Sequence, residues 1–406
     1  MWVLTLSPLL VAVLVVLVLG IVRGTRMKSP WSTIVGILIV LVALAGVAAF
    51  AVGQLIDNIA WWRPVLYYPL CGLVWVGYTF LGMLVVSAFN VAWAVIDRVR
   101  FGRQTPKELD ASGRISTVRT ATVLVALAAL VVTALGALGA RNPRITEYEV
   151  GFDTLPAAFD GYRIALVSDI HFGPGIGDDF LHQLVDRVNA ESPDLVVLAG
   201  DLIDGVPKYL GDDLARELRR FEAPDGVVIV TGNHEFYSGV IAEWMAYFEG
   251  LGGTQPRIRL LSNDGFRIER GGQFIDVLGI NDQQAVPPYR PDLDLAVKRL
   301  ADSVRDGQSV ATDGFRVLVA HRPSTAVTYR PVLERQGVDL LLSGHTHGGQ
   351  LWPMRYVILL DQPALFGVHE IGGVRVVISR GAGAWGPPVR VGSDPEVPII
   401  TLRSGG

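Results

Sequence analysis

Residues 163–171 read Arg163-Ile164-Ala165-Leu166-Val167-Ser168-Asp169-Ile170-His171, a short run of β-prone apolar residues that stops on a polar tail. The same form recurs downstream. Residues 195–199 run into Gly200-Asp201-Leu202-Ile203-Asp204, 227–231 into Gly232-Asn233-His234-Glu235, and 340–343 into Gly344-His345-Thr346-His347, while 315–320 stop at His321. Short apolar runs bounded by glycine mark strands buried on both faces, and residues 274–278 and 374–379 read the same way. Between them the apolar period lengthens to that of helices over 178–191, 210–221, 240–251, 292–304 and 325–336. Strands alternating with amphipathic helices predict an α/β domain over residues 162–406.

The chain before it has a different character. At 406 residues, 50% hydrophobic and 18% charged, the whole is too apolar for one soluble globule. The excess sits in four uncharged stretches, 2–22, 34–56, 65–96 and 121–140, each covering roughly the 20 residues that a helix needs to cross a bilayer, the third overlong at 32. They predict an all-α transmembrane region over 1–140, with 141–161 as a polar connector. The first stretch lacks the positive n-region of a signal peptide. Ala137-Leu138-Gly139 offers small residues where a signal peptidase cuts, so release of the domain near residue 139 stays open. Cys71 is the only cysteine, which rules out an intrachain disulfide.

Charge divides along the same line. Residues 1–150 hold 12 basic and 6 acidic side chains, against 23 and 33 for residues 151–406. A domain so acidic lacks the clustered Lys and Arg that grip a phosphate backbone, so no nucleic-acid partner is expected. Phosphate bound here must be drawn by something local, such as metal ions.

Residues just past the carboxyl ends of strands converge on one crevice. Five of the seven histidines lie at such ends: His171, His234, His321, His345 and His347. Each tail alone reads as a turn or a cap, but together with Asp169, Asp201 and Asn233 they predict a metal site. His182 and His369 read as surface or packing residues. Mixed carboxylate, amide and imidazole ligands suit Mn, Fe or Zn rather than Mg or Ca. An ion of this kind lowers the pKa of a bound water towards about 7, so no side-chain nucleophile is required.

The ordered series Asp-x-His, Gly-Asp-x-x-Asp, Gly-Asn-His-Glu, His and Gly-His-x-His resembles the calcineurin-like metallophosphoesterase superfamily, over about residues 161–402. Gly344-His-Thr-His-Gly-Gly-Gln350 and Gly381-Ala-Gly-Ala-Trp-Gly-Pro-Pro-Val-Arg390 make it similar to the membrane-associated bacterial branch of YkuE and YaeI. The resemblance implies a four-layer α/β/β/α sandwich that hydrolyses phosphodiester, phosphomonoester or pyrophosphate bonds with two divalent ions. It implies that Asp169, His171 and His347 hold one ion, that Asn233, His321 and His345 hold the other, and that Asp201 bridges them. His234 matches the family's non-ligand histidine, which contacts phosphate and protonates the leaving oxygen. Asp204 and Glu235 are expected to orient histidines, and Arg322 to contact phosphate. That branch includes enzymes acting on a UDP-linked acylated glucosamine, so a lipid-linked substrate and membrane lipids are the expected partners. One departure bears on substrate: Gly205 follows Asp204 where the superfamily's protein phosphatases carry an arginine, which argues against a phosphoprotein.

The competing reading is a membrane receptor or transport-associated protein whose domain only binds a phospholigand. No signature ligand is missing, and Asp57 and Asp97 fall only at the ends of apolar stretches, which favours the enzyme. Leu351, Trp352, Trp385 and residues 356–360 read either as core or as a wall for an acyl chain. Nine Lys and Arg after the first and third stretches, against three on the opposite side, place the domain outside the cytoplasm.

Overall fold

The protein is described by a computed structural model covering residues 2–53, 59–101, 109–173, 175–252, 258–304 and 314–405, with side chains beyond residue 10 except at 53, 59–61, 63, 64, 100, 101 and 109–112. It separates into a helical unit within residues 1–137 and a second unit from Leu138 on.

The helical unit contains α1 (Trp2–Thr25), α2 (Trp31–Gly53), α3 (Ile59–Phe101) and α4 (Leu109–Gly139). Among the described residues, Trp31–Val52, Val65–Val99 and Gly113–Gly139 are long and apolar enough to cross a membrane. The described side chains of α1 continue the apolar pattern over Val11–Thr25. Small residues let the helices approach. A Cβ on Gly72 of α3 would come within 2.9 Å of Val42 of α2, and Trp75 Nε1 donates to the Ala126 carbonyl of α4 at 3.0 Å.

The second unit is built on two six-stranded sheets. The first runs in the order β1 (Arg144–Phe152), β12 (Glu396–Ser404), β2 (Arg163–Val167), β3 (Leu195–Ala199), β4 (Val227–Val230) and β5 (Ile258–Leu260). The second runs β10 (Gly367–Ile371), β11 (Val374–Ile378), β9 (Leu340–Ser343), β8 (Phe315–Val319), β7 (Gln273–Gly279) and β6 (Asp264–Arg270). Strands β2 to β5 are parallel, as are β7, β8, β9 and β11.

Alternation within each strand explains the layers. Ile164, Val197, Val228, Val317 and Leu342 point into a core shared by the two sheets. Ala165, Val196, Leu198 and Ile229 face outward, onto α5 (Asp178–Ala190), α6 (Pro207–Leu218) and α8 (Ile241–Gly250), with the five-residue α7 (Asn233–Tyr237) lying between the last two in sequence. On the far side, Leu318, Leu341 and Val376 pack on α9 (Leu293–Ser303) and the short α10 (Thr325–Thr328) and α11 (Arg330–Arg335). Helix, sheet, sheet, helix is the expected four-layer sandwich. With both strand faces buried, truncating a residue such as Val317 costs about 2–4 kcal/mol.

Two expectations are corrected. Residues 141–161 are not a bare connector, because β1 lies within them and pairs in parallel with β12, Arg144 opposite Glu396. The helix expected over 325–336 is broken at Tyr329, where Pro331 occupies the first turn of α11 and lacks the amide that a continuous helix needs.

Candidate metal centre

The tails follow β2, β3 and β4, neighbours in one sheet, and β8 and β9, neighbours in the other. Each tail must turn sharply to point a side chain into the common crevice. Asp169, His171, Asp201, His345 and His347 all take positive φ, between 51° and 70°. Non-glycine residues avoid that region, at roughly 1–3 kcal/mol each, and hold it only where their surroundings impose it. Here backbone bonds impose it: Asp169 N donates to Gly200 O at 3.0 Å and His171 N to Asp201 O at 3.1 Å. The carboxylates also take amide protons from neighbouring tails, Asp169 from His345 N at 3.0 Å and Asp201 from His234 N at 2.8 Å. Glycine is required before two of the tails. A Cβ on Gly232 would overlap the Asp201 carboxylate, and one on Gly344 the Asp169 carboxylate.

Two clusters result, and a third set, His171, Asp201 and His234, overlaps both at the same distance. The ligand atoms of Asp169, His171 and His347 lie within 4.8 Å of one another, and so do those of Asp201, His321 and His345. His171 Nε2 is 3.1 Å from His347 Nε2, and His345 Nδ1 is 3.2 Å from His321 Nε2. Asp201 Oδ2 stands between the clusters, 3.1 Å from His321 Nε2 and 3.9 Å from His171 Nε2. Asn233, the first residue of α7, is buried, and its Oδ1 accepts from Arg322 Nη2 at 3.1 Å.

His234 sits at the rim. Its ring meets His171 edge-on with centroids 4.5 Å apart, and Tyr237 and Trp385 flank it at 5.4 and 6.3 Å. Its Nδ1 is 2.6 Å from Asp204 Oδ1, which also lies 3.2 Å from His171 Nδ1. Burial opposes charge on these groups, yet the two imidazoles hold Asp204 well below the usual carboxylate range. Against the same penalty, Asp201 and Asp204 raise His234 to about 9, and Asp201 raises His321 to about 10.

Asp204 thus lies within hydrogen-bond distance of two histidines. Glu235 does not. Its carboxylate accepts Asp201 N at 3.1 Å, Leu202 N at 2.8 Å and Gly232 N at 2.7 Å, tying two tails together through their backbones. Burial and the nearby Asp201 push it up to about 7. Arg322 is buried beside the second cluster, its Nε 2.9 Å from Asp282 Oδ2.

Two contributors escaped the sequence reading. Asp282 lies just beyond β7, so the strand-end rule that found the other tails would have found it. Arg390, quoted only as part of a motif, is buried; its Nη1 donates to His347 O at 2.6 Å and its Nε to Gly383 O at 2.9 Å. That ties the loop after β11 to a metal-site tail. Burial lowers this arginine to about 10.

Comparison with known proteins agrees with this geometry. Residues 162–349 match the family model for calcineurin-like phosphoesterases. The chain is 30% identical over 353 residues to a zebrafish (Danio rerio) transmembrane protein with a metallophosphoesterase domain, covering 86% of this chain and 76% of that one. It is 32% identical to a metallophosphoesterase of Campylobacter jejuni, over 65% of this chain and 64% of the relative. To the metallophosphoesterase YkuE of Bacillus subtilis it is 29% identical, over 64% of this chain and 85% of the relative. The family uses a dinuclear metal centre, and the candidate ligands for one are present. In sequence, in its layered sheets and in the converging strand-end tails, the chain belongs to the calcineurin-like metallophosphoesterases, metal-dependent hydrolases of phosphate esters.

Proposed function

We propose that the chain hydrolyses phosphodiester, phosphomonoester or pyrophosphate bonds in a lipid-linked substrate, on the extracytoplasmic face of a membrane spanned by its N-terminal helices. The observation that carries the site assignment is Asp201, whose one carboxylate faces both histidine clusters. The residues fit a pair of cations: His171 Nε2 and His347 Nε2 face each other at 3.1 Å with Asp169 beside them, an arrangement a shared ion relieves. Asp169, His171 and His347 would hold one ion, Asn233, His321 and His345 the other, and Asp201 both. The nitrogen and oxygen donors favour Mn, Fe or Zn. When bound, such ions supply an activated water and positive charge against the phosphoryl oxygens.

The remaining steps belong to the chain. Asp204 holds the Nδ1 edge of His234, which leaves Nε2 to donate to a phosphate oxygen and pass its proton to the leaving oxygen. Arg322, fixed by Asp282, places positive charge beside the second cluster. Trp385 and Tyr237 flank His234 at the rim. Gly205, in place of an arginine, argues against phosphoproteins, and the exposed Trp352, Tyr356 and Leu360 favour an acyl-bearing substrate.

A hydrolysis panel of the full chain in detergent tests this, with bis-p-nitrophenyl phosphate, p-nitrophenyl phosphate and nucleotide-linked lipids under Mn, Fe and Zn. Turnover should need metal, favour the lipid substrate, and vanish together with bound metal in Asp201→Asn. Two full metal equivalents and near-normal rates in that variant would sink the assignment.

A further inference from the structure

The hydrolase unit hides its apolar residues well, except in one place. From Arg144 on, ten large hydrophobic side chains are exposed among the described residues, and seven of them fall in two short segments. Six are Trp352, Met354, Tyr356, Val357, Leu359 and Leu360, in and around α12 (Arg355–Ile358), which has no buried residue. The seventh is Trp385. Leu360 is 86% exposed and Tyr356 62%. A helical turn that buries nothing of its own gains nothing from folding outward into water, so a concentrated apolar surface of this kind marks a partner.

The two segments are fastened together. Gln350 Nε2 donates to Trp385 O at 2.8 Å, and Trp385 N donates to Gln350 Oε1 at 2.9 Å. The composition is that of an interfacial element: aromatics with polar tips, aliphatic side chains, one basic residue, Arg355, and no acid from Leu351 to Leu360. Such elements lie in the headgroup region with their apolar face about 5–10 Å deep. Elsewhere the unit is strongly acidic, so attraction of its charge to a membrane cannot do this work.

We infer that the projection formed by Trp352–Leu360 and Trp385 inserts into the lipid surface of the membrane that the same chain spans. Connectivity supports this occupant. Only four residues separate Gly139, the last of α4, from Arg144, the first of β1, a tether of at most about 18 Å. A tethered partner is met at high effective concentration, so even a modest apolar contact is populated. The projection starts five residues after His347, and Trp385 flanks His234. A lipid-linked phosphate ester would therefore reach the site with its chain still in the bilayer. The inference rests on the reading that the apolar helices span a membrane, and it deepens the proposed substrate class.

The test uses the full chain with Cys71→Ser and a spin label on Leu360→Cys, in vesicles of phosphatidylethanolamine and phosphatidylglycerol. Glu269→Cys, exposed on β6, is the control. The label at 360 should collide with oxygen more than with a water-soluble nickel chelate, and the label at 269 the reverse. Nickel access at 360 would show a surface facing water, and low access to both reagents would show contact with another protein, such as a second copy; either overturns the inference. Collision is read without turnover. A chain inactive on every ester but lipid-shielded at 360 would fail the substrate reading and keep this one.

Discussion

Asp204 Oδ1 lies 2.6 Å from His234 Nδ1, and the same oxygen is 3.2 Å from His171 Nδ1. One carboxylate therefore sets the ring orientation of the proposed proton donor and of a proposed metal ligand. Two functions that are separate in chemistry share a support.

That sharing can be dissected. Asp204→Asn should weaken metal binding by about 10–100-fold through His171, and should also lower kcat through His234. His234→Asn should lower kcat by about 10²–10⁴ with metal content unchanged. In the His234→Asn background, Asp204→Asn should still weaken metal binding but cost little further rate at saturating metal. Fully additive losses in kcat would separate the two residues and undo the pairing.

Arg322 and Asp282 make a second test. Both side chains are at least nine-tenths buried, so Asp282→Ala strands a cation and should cost about 3–5 kcal/mol, read as a lower thermal midpoint. Asp282→Leu with Arg322→Met removes both charges and should recover most of that stability while turnover stays low, since Arg322 also contacts Asn233. An unchanged midpoint in Asp282→Ala would mean the pair is solvated and does not fix Arg322.

Most of the site could be read from sequence because its parts obey a local rule, a buried strand followed at once by a functional tail. All seven strands expected from apolar runs are present. What escaped depends on contacts distant in the chain. In β1, Arg144, Thr146, Glu147 and Glu149 interrupt the apolar pattern, so the segment reads as a linker until β12, about 250 residues later, supplies its partner. Glu235 reads as a histidine partner because histidine is its neighbour in sequence. Its true partners are the amides of Asp201, Leu202 and Gly232, two of them brought to it only by the pairing of β3 with β4.

Metal removal links the site to pH. In the metal-free protein His321 is held at about 10, above its ordinary value, so it carries a proton at neutral pH and must lose it to bind an ion. Loading should release protons, and below about pH 10 apparent affinity should fall by about tenfold for each unit that pH is lowered, per proton displaced. The sign for stability follows: the attraction between protonated His321 and Asp201 is fully present below the histidine's unfolded value and lost as pH rises through about 10. Chelated protein should therefore lose thermal stability at alkaline pH. Calorimetry in buffers of different ionisation enthalpy reads the proton count, and zero release would contradict the assignment of His321 as a ligand.

The side of the membrane rests on loop charge. With four crossings, the segments between the first and second and between the third and fourth apolar stretches share a side and hold nine Lys and Arg, from Arg23, Arg26 and Lys28 to Arg98, Arg100, Arg103, Lys107, Arg114 and Arg119. The other side has Arg63, Arg141 and Arg144. Because basic loops stay in the cytoplasm, the N-terminus and the hydrolase unit are predicted to lie outside. An extra crossing hidden in the long third stretch would invert this, but α3 runs unbroken from Ile59 to Phe101, and a hairpin needs a turn. The remaining vulnerable element is α1, whose failure to cross would also invert it. Alkaline phosphatase fused after residue 406 should be active and GFP at the same point dark. A silent phosphatase with a fluorescent GFP would put the site in the cytoplasm and restrict its substrates to that leaflet.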